Sequence, residues 1–462
     1  MFHRLRSRPG SFYRRLLALT LPMAAQNLIT FSLGLIDTFM VSQLGNDAMA
    51  AVTAANVPVF LLMSTVFGFQ SGLGILASQY WGKRDTENIS RALGVACFLG
   101  AGLSAVLALA FFLWPVPIMD LLSNSHELSI LGAPYLRLIG FSYVCNILSS
   151  LYVSVQRSAG NPRFGMRLFG FSTVLNTVLN YVFIFGHFGA PALGIQGAAL
   201  ATLLARIAEL TVCAVYALRS RRMPLNLRAF LRPGWSMCRR FVHYASPVVL
   251  NELLWGTGSA LLTVILGYMD NSVEMLAAYS VTGNLSRLFL VVCFGLGAST
   301  AVMVGNAIGE GQSHDEVMDL SRTLLDFTTV VGFALAALSL LLVPLLFRPV
   351  VFPLFKLYGS SAAIATALAV TGFAATPVHA YAISAVTGVL RSGGDVRFST
   401  MLDVGPQWLI ALPLTALTAL VLKTDCWVVA VTLQVENLFK VPLCMWRINS
   451  RKWIHDVTED EL

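Results

Sequence analysis

Long apolar runs, following one another from Leu16 to Arg447, restrict this chain more than any other feature of it. A helix needs about 20 such residues to cross the hydrocarbon of a bilayer. Twelve candidate spans result, at 16–41, 50–79, 91–113, 131–154, 165–186, 194–218, 241–268, 275–304, 322–347, 364–390, 399–422 and 426–447. Only 12% of residues are charged, where a soluble domain carries roughly 25%. The expectation is an all-α membrane protein with twelve transmembrane helices.

A net charge of +8 would suit a nucleic-acid partner, but the placement of the basic residues gives a different reading. With the N-terminus taken as cytoplasmic, Arg348, Lys356 and Lys423 fall in outer segments and Arg137, Arg206 and Arg287 within spans. All other Lys and Arg residues lie in inner segments, among them the arm Arg4 to Arg15 and the pair Arg391 and Arg397. That asymmetry predicts both termini in the cytoplasm, an even number of spans and no nucleic-acid role. The basic arm followed by an apolar stretch resembles a signal peptide, but the stretch is too long and has no small-residue cleavage site, so a retained first helix is expected. The seven cysteines form no CxxC pattern and no cluster with histidine, which predicts neither a disulfide framework nor a zinc site.

The second half of the chain repeats the first. Pro247 stands to Pro22 and Asn284 to Asn56, while RSGGDVRF at 391–398 repeats RSAGNPRF at 157–164. Six spans separate the copies, an even number, so two six-helix lobes related by a pseudo-twofold axis along the membrane normal are predicted. The lobes are placed at 1–218 and 241–462. Between them, 219–240 is dense in arginine and broken by Pro224, Pro233 and Gly234, the composition of an inner-face linker held by anionic lipid, with a regulatory role as the alternative. A monomer is expected.

Ionisable groups inside hydrocarbon are costly and concentrate where an ion or proton is handled. Asp37 is such a group, in the first span about four turns after Pro22, the expected hinge. Counting inward from the span ends at 1.5 Å per residue places Asp37, Asn176, Asn180 and Thr202 in the outer half of the first lobe, roughly 6 to 16 Å below its surface. A carboxylate, two amides and a hydroxyl at one depth suit sodium, or a proton held on Asp37. The asparagines also suit a plain helix-to-helix contact.

In the second lobe Glu252, beside Asn251, lies near the middle of span seven, as a second protonation site, a contact for a cationic substrate or a partner for Arg287 or another buried cation. His379 follows Pro377 in span ten, either titrating or simply hydrogen-bonded. Arg206 and Glu209, three apart, and Glu436 and Lys440, four apart, read as neutralising pairs. Asp326 and Asp403, near inner span ends, are read as solvated. Met63, Phe67, Tyr143, Trp255, Tyr279, Met303 and Tyr381 are candidates for a greasy cavity wall.

The segments LPMAAQNLITFSLGLIDTFMVSQLG, QSGLGILASQYWGKRD, QRSAGNPRF with LRSGGDVRF, and LNTVLNYVFIFGHFGAPALGIQGAALAT together resemble the multidrug and toxic-compound extrusion (MATE) family over nearly the whole chain. The resemblance implies twelve helices in two lobes and export of mainly cationic, lipophilic compounds in exchange for sodium or protons. By position, Asp37 matches the family's first-helix aspartate, and Asn176 and Asn180 its fifth-helix polar pair, whose second member is an aspartate in many bacterial relatives. Glu252 stands near one turn earlier than the seventh-helix acid of one branch of the family, and the tenth-helix aspartate of that branch is missing here, its place falling near Ala380, beside His379.

The expectation is therefore a bacterial inner-membrane antiporter, with sodium or a proton as coupling ion, small organic cations as substrates, membrane lipid as surroundings and no cofactor. A lipid-linked saccharide or lipid flippase is the alternative and calls for a more cationic cavity. A receptor or channel is a third class. No enzymatic activity is expected, and no GxxxxGK[ST] loop for ATP is present.

Overall fold

A computed structural model describes residues 2–121, 125–220 and 223–459; Arg221 and Arg222 of the linker lie outside the described residues. Those described are helical, without a strand, in keeping with the all-α expectation. Among the described residues, eleven helices are long and apolar enough to cross a membrane. They are Gly10–Ser42, Asn46–Gly82, Thr86–Leu113, His126–Ser158, Pro162–Phe185, Ile195–Arg219, Trp235–Gly267, Ser272–Gly309, His314–Leu354, Val396–Val421 and Cys426–Asn449. The pair Ser360–Ala374 and Thr376–Leu390, bent by 48°, makes a twelfth, tenth in chain order, when its two helices are counted as one broken span. Pro377 accounts for the bend, since its ring removes a donor and clashes with the preceding turn.

The helix ends follow from local chemistry. Asp85 accepts from the backbone N–H of Asn88 and Ser125 from that of Leu128. Ser313 and Glu316 satisfy each other's backbone donors as a capping box. Pro162 opens the fifth span, at the one helical position where a missing N–H leaves no bond unmade. Pro22 lies instead inside the continuous first span, where it cannot donate to the carbonyl of Ala18 one turn back.

The described chain divides into two compact units, one formed by residues up to Ala24 together with those from Leu250 onward, the other by Ala25–Val249. The changeover falls within the first and seventh spans. Inside the Ala25–Val249 unit, Leu62, Met119, Leu136 and Ala199 are fully buried at the centre of one apolar cluster. The glycines of GFQSGLG bring the second span against the start of the seventh: a Cβ on Gly68 would lie 2.7 Å from the Cα of Val249, and one on Gly72 2.7 Å from the Cα of Ala245. Small residues permit this approach between apolar helices, which in lipid associate mainly through packing.

The other unit has two apolar clusters. One is built around Phe352, Phe373, Leu368 and Val429. The second gathers Leu16, Val304, Val389, Leu390, Cys444 and Trp453, so a tryptophan beyond the last span is packed into the core. Four stretches of this unit widen into π-helical turns, Val343–Val351, Ser384–Leu390, Gln407–Ala411 and Leu417–Val421. Such turns recur at functional sites, because they rotate the residues that follow out of α register.

Candidate functional site

The fifth and sixth spans place a line of polar side chains opposite the first. Asn180 Nδ2 donates to Asp37 Oδ1 at 2.6 Å and to Asn176 Oδ1 at 3.0 Å. Asn176 Nδ2 donates to Thr202 Oγ1 at 3.1 Å, and the Thr202 hydroxyl donates to the carbonyl of Ala198. Asn176 and Asn180 stand one helical turn apart on one face, and both are buried. The four residues singled out in this half of the sequence are thus joined into one relay. Asn180 Oδ1 is buried and has no protein partner.

Arg206 and Glu209 pair at 2.6 Å, as their spacing predicts, and the Ser149 hydroxyl also donates to Glu209, at 2.5 Å. The Arg206 charge does more than neutralise its neighbour. It also acts on Asp37 and on Tyr143. Tyr135, which sequence reasoning passed over, is within electrostatic reach of Asp37 and donates to Asn56 Oδ1 at 3.4 Å.

The unit that begins at Leu250 holds a second polar centre whose composition differs from expectation. Glu252 is paired at 3.4 Å with Arg391, a buried cation other than Arg287, as the second form of the pairing expectation had it. Arg391 also reaches Asp403 at 3.5 Å. Asp403, read from sequence as solvated, is the hub: it accepts from Asn251 at 3.0 Å and pairs with Lys440 at 3.1 Å. Lys440 pairs in turn with Glu436 at 3.5 Å, and Asn437 shares a hydrogen bond of 2.8 Å with His379 Nε2. Three carboxylates face two cationic side chains, both about 4% exposed. Arg391 escaped notice because RSGGD reads as a loop motif. Asp326 is engaged as well, with Arg4 at 3.3 Å.

The aromatic and methionine candidates are spread over both units. In the Ala25–Val249 unit, Met63 and Phe67 are exposed on the second span while Tyr143 packs beside the apolar core. In the other unit Trp255 is exposed, Tyr279 packs against the Phe352 cluster, and Tyr381 flanks the cluster in which Met303 is buried.

A family model described as MatE matches residues 22–182 and 247–417. A probable multidrug resistance protein of Bacillus subtilis, YoeA, is 25% identical over 88% of this chain and 87% of its own length. An FAD transporter of Shewanella oneidensis is 28% identical over 72% of each chain. Among solved structures, a MATE protein crystallised in complex with MaL6 superposes with a TM-score of 0.85 at 18% identity, covering 95% of this chain and 96% of that one.

Proposed function

Since the chain belongs to the MatE family, we propose that this multi-pass membrane protein is a cation-coupled antiporter of the bacterial inner membrane, with both termini cytoplasmic, exporting small organic compounds, mainly lipophilic cations. Relatives named as multidrug resistance proteins support the substrate class. The observation that carries the coupling role is the relay from Thr202 through Asn176 and Asn180 to Asp37. It holds one carboxylate at a fixed place with a donor already aimed at it.

A proton is the coupling ion this arrangement favours. Asn180 and Asn176 turn N–H groups toward Asp37 Oδ1 and Thr202 Oγ1, two of the oxygens that a sodium ion would use, and the Arg206 charge opposes a second full positive charge nearby. A protonated Asp37 adds no net charge beyond neutrality and keeps the hydrogen bond from Asn180. Substrate and proton then compete for one state of Asp37, and the lobes expose it alternately to each side, with Pro22 as the weak point of the first span.

The test is ethidium uptake into proteoliposomes under pH and sodium gradients imposed separately, for the wild type and Asp37→Asn. Uptake that follows the pH gradient and is lost in the variant supports the reading. Flux independent of either gradient, or coupling retained in Asp37→Asn, would overturn it.

A further inference from the structure

Beyond the last span the chain does not trail away. Arg451 takes a left-handed backbone conformation with φ 61°, reversing the direction of the chain, and its side chain pairs with Asp315 at 2.7 Å. Trp453 is then fully buried, its indole N–H donating to the carbonyl of Ile448 at 3.0 Å. Ile454 forms an antiparallel bridge with Gly394, His455 N–H donates to the carbonyl of Gly393 at 2.9 Å, and Val457 is fully buried. The surface these residues cover is the RSGGD turn, which carries Arg391.

The repeat supplies an internal control. In the first copy, RSAGNPRF, position 159 is alanine, with φ −77°, so the turn itself accepts a side chain there. The following glycine has positive φ in both copies, 72° at Gly160 and 88° at Gly394. Gly393 is therefore not required by backbone conformation. What requires it is the indole: a Cβ on Gly393 would lie 2.3 Å from a ring carbon of Trp453 and 2.5 Å from its carbonyl oxygen. The second copy has given up a side chain to make room for this segment.

The turn needs such support. It follows the π-helical stretch Ser384–Leu390, and the Arg391 N–H donates to the carbonyl of Val386, five residues back. On its far side Asp395 pairs with Arg447 at 2.6 Å, and the Arg447 guanidinium lies 4.5 Å from the Phe398 ring centroid. Gly393 and Gly394, two and three residues after Arg391, are covered by Trp453 through Val457.

We propose that Lys452–Val457 is an intramolecular strap that fixes the RSGGD turn and thereby positions Arg391 between Glu252 and Asp403. Trp453 acts as a positioning residue through Arg391. Loosening the strap lets the buried guanidinium leave the half-buried carboxylates of Glu252 and Asp403, so a segment outside the spans controls the charge network.

The experiment uses the full-length chain. Trp453→Ala and Gly393→Ala are expected to speed amide exchange across 391–396 by about tenfold or more, through local opening. Exchange across 157–164, the first copy of the motif, stays unchanged, and Trp453→Phe stays close to wild type. In proteoliposomes, Trp453→Ala lowers the initial rate of ethidium uptake several-fold, but adds nothing in an Arg391→Gln background. Should Trp453→Ala fail to fold, Gly393→Ala keeps the indole and gives the same comparison. Unchanged exchange across 391–396 in both variants, or an equal loss of uptake from Trp453→Ala with and without Arg391, would overturn the proposal. The exchange measurement decides the strap even if ethidium is not transported, which separates its failure from failure of the transport reading.

Discussion

Asn180 Nδ2 lies 2.6 Å from Asp37 Oδ1, joining residues 143 positions apart in the chain. The amide's second hydrogen is used on Asn176, so Asp37 is held by the same group that aligns the fifth span. Asp37→Asn keeps the shape of the relay and removes its charge. Gradient-driven uptake should fall at least about tenfold, equivalent to about 1.4 kcal/mol in the barrier. The melting temperature in detergent should hold or rise, because a neutral amide is less costly to bury than a carboxylate.

Removing the donor is a different perturbation from removing the acid. Asn180→Ala leaves both Asp37 Oδ1 and Asn176 Oδ1 without the partner they have now. Each orphaned buried group costs about 1–3 kcal/mol. The variant should therefore melt earlier than Asp37→Asn while retaining a carboxylate. Differential scanning fluorimetry of the two variants side by side checks the order.

Arg206 offers a way to change the preferred ion. Arg206→Gln alone strands Glu209, which is fully buried, and breaking such a pair from one side costs on the order of 3–5 kcal/mol. The double change Arg206→Gln with Glu209→Gln removes both charges and should recover most of that stability. It also removes the positive charge that acts on Asp37. Uptake measured with a sodium gradient and no pH gradient should then rise above the wild-type level.

Lys440 joins Asp403 to Glu436 from a side chain about 4% exposed. Lys440→Met leaves two carboxylates without that cation and should destabilise the protein by on the order of 3 kcal/mol. Adding Asp403→Asn should recover part of the loss. Thermal unfolding of the single and double variants measures the coupling between the two sites.

The sequence made the Asp37 neighbourhood legible for a simple reason. Depth in a membrane helix follows from counting along the chain, and four polar residues at one depth have few other groups to meet. Glu252 could not be read in this way. Its partner, Arg391, is 139 residues away in a glycine-rich motif that looks like a loop, after a π-helical turn that counting at α-helical pitch does not foresee. Asp403 was misplaced for the related reason that nearness to a span end does not mean contact with water when Lys440, Asn251 and Arg391 all point at it. The spans emerged within about eight residues of their helices, although the bend in the tenth needed coordinates. Trp453 lies past the last apolar run, where hydropathy gives no hint of burial.

Val457, fully buried, is followed directly by Thr458. A fluorophore attached at Thr458 would sit a few residues along an anchored thread from a guanidinium engaged by acids of two spans. Force applied through that attachment would load the Gly393–Gly394 turn before it unwound any long helix. The outermost part of the described chain is in this sense a handle on its interior, and tension applied there becomes a displacement of charge.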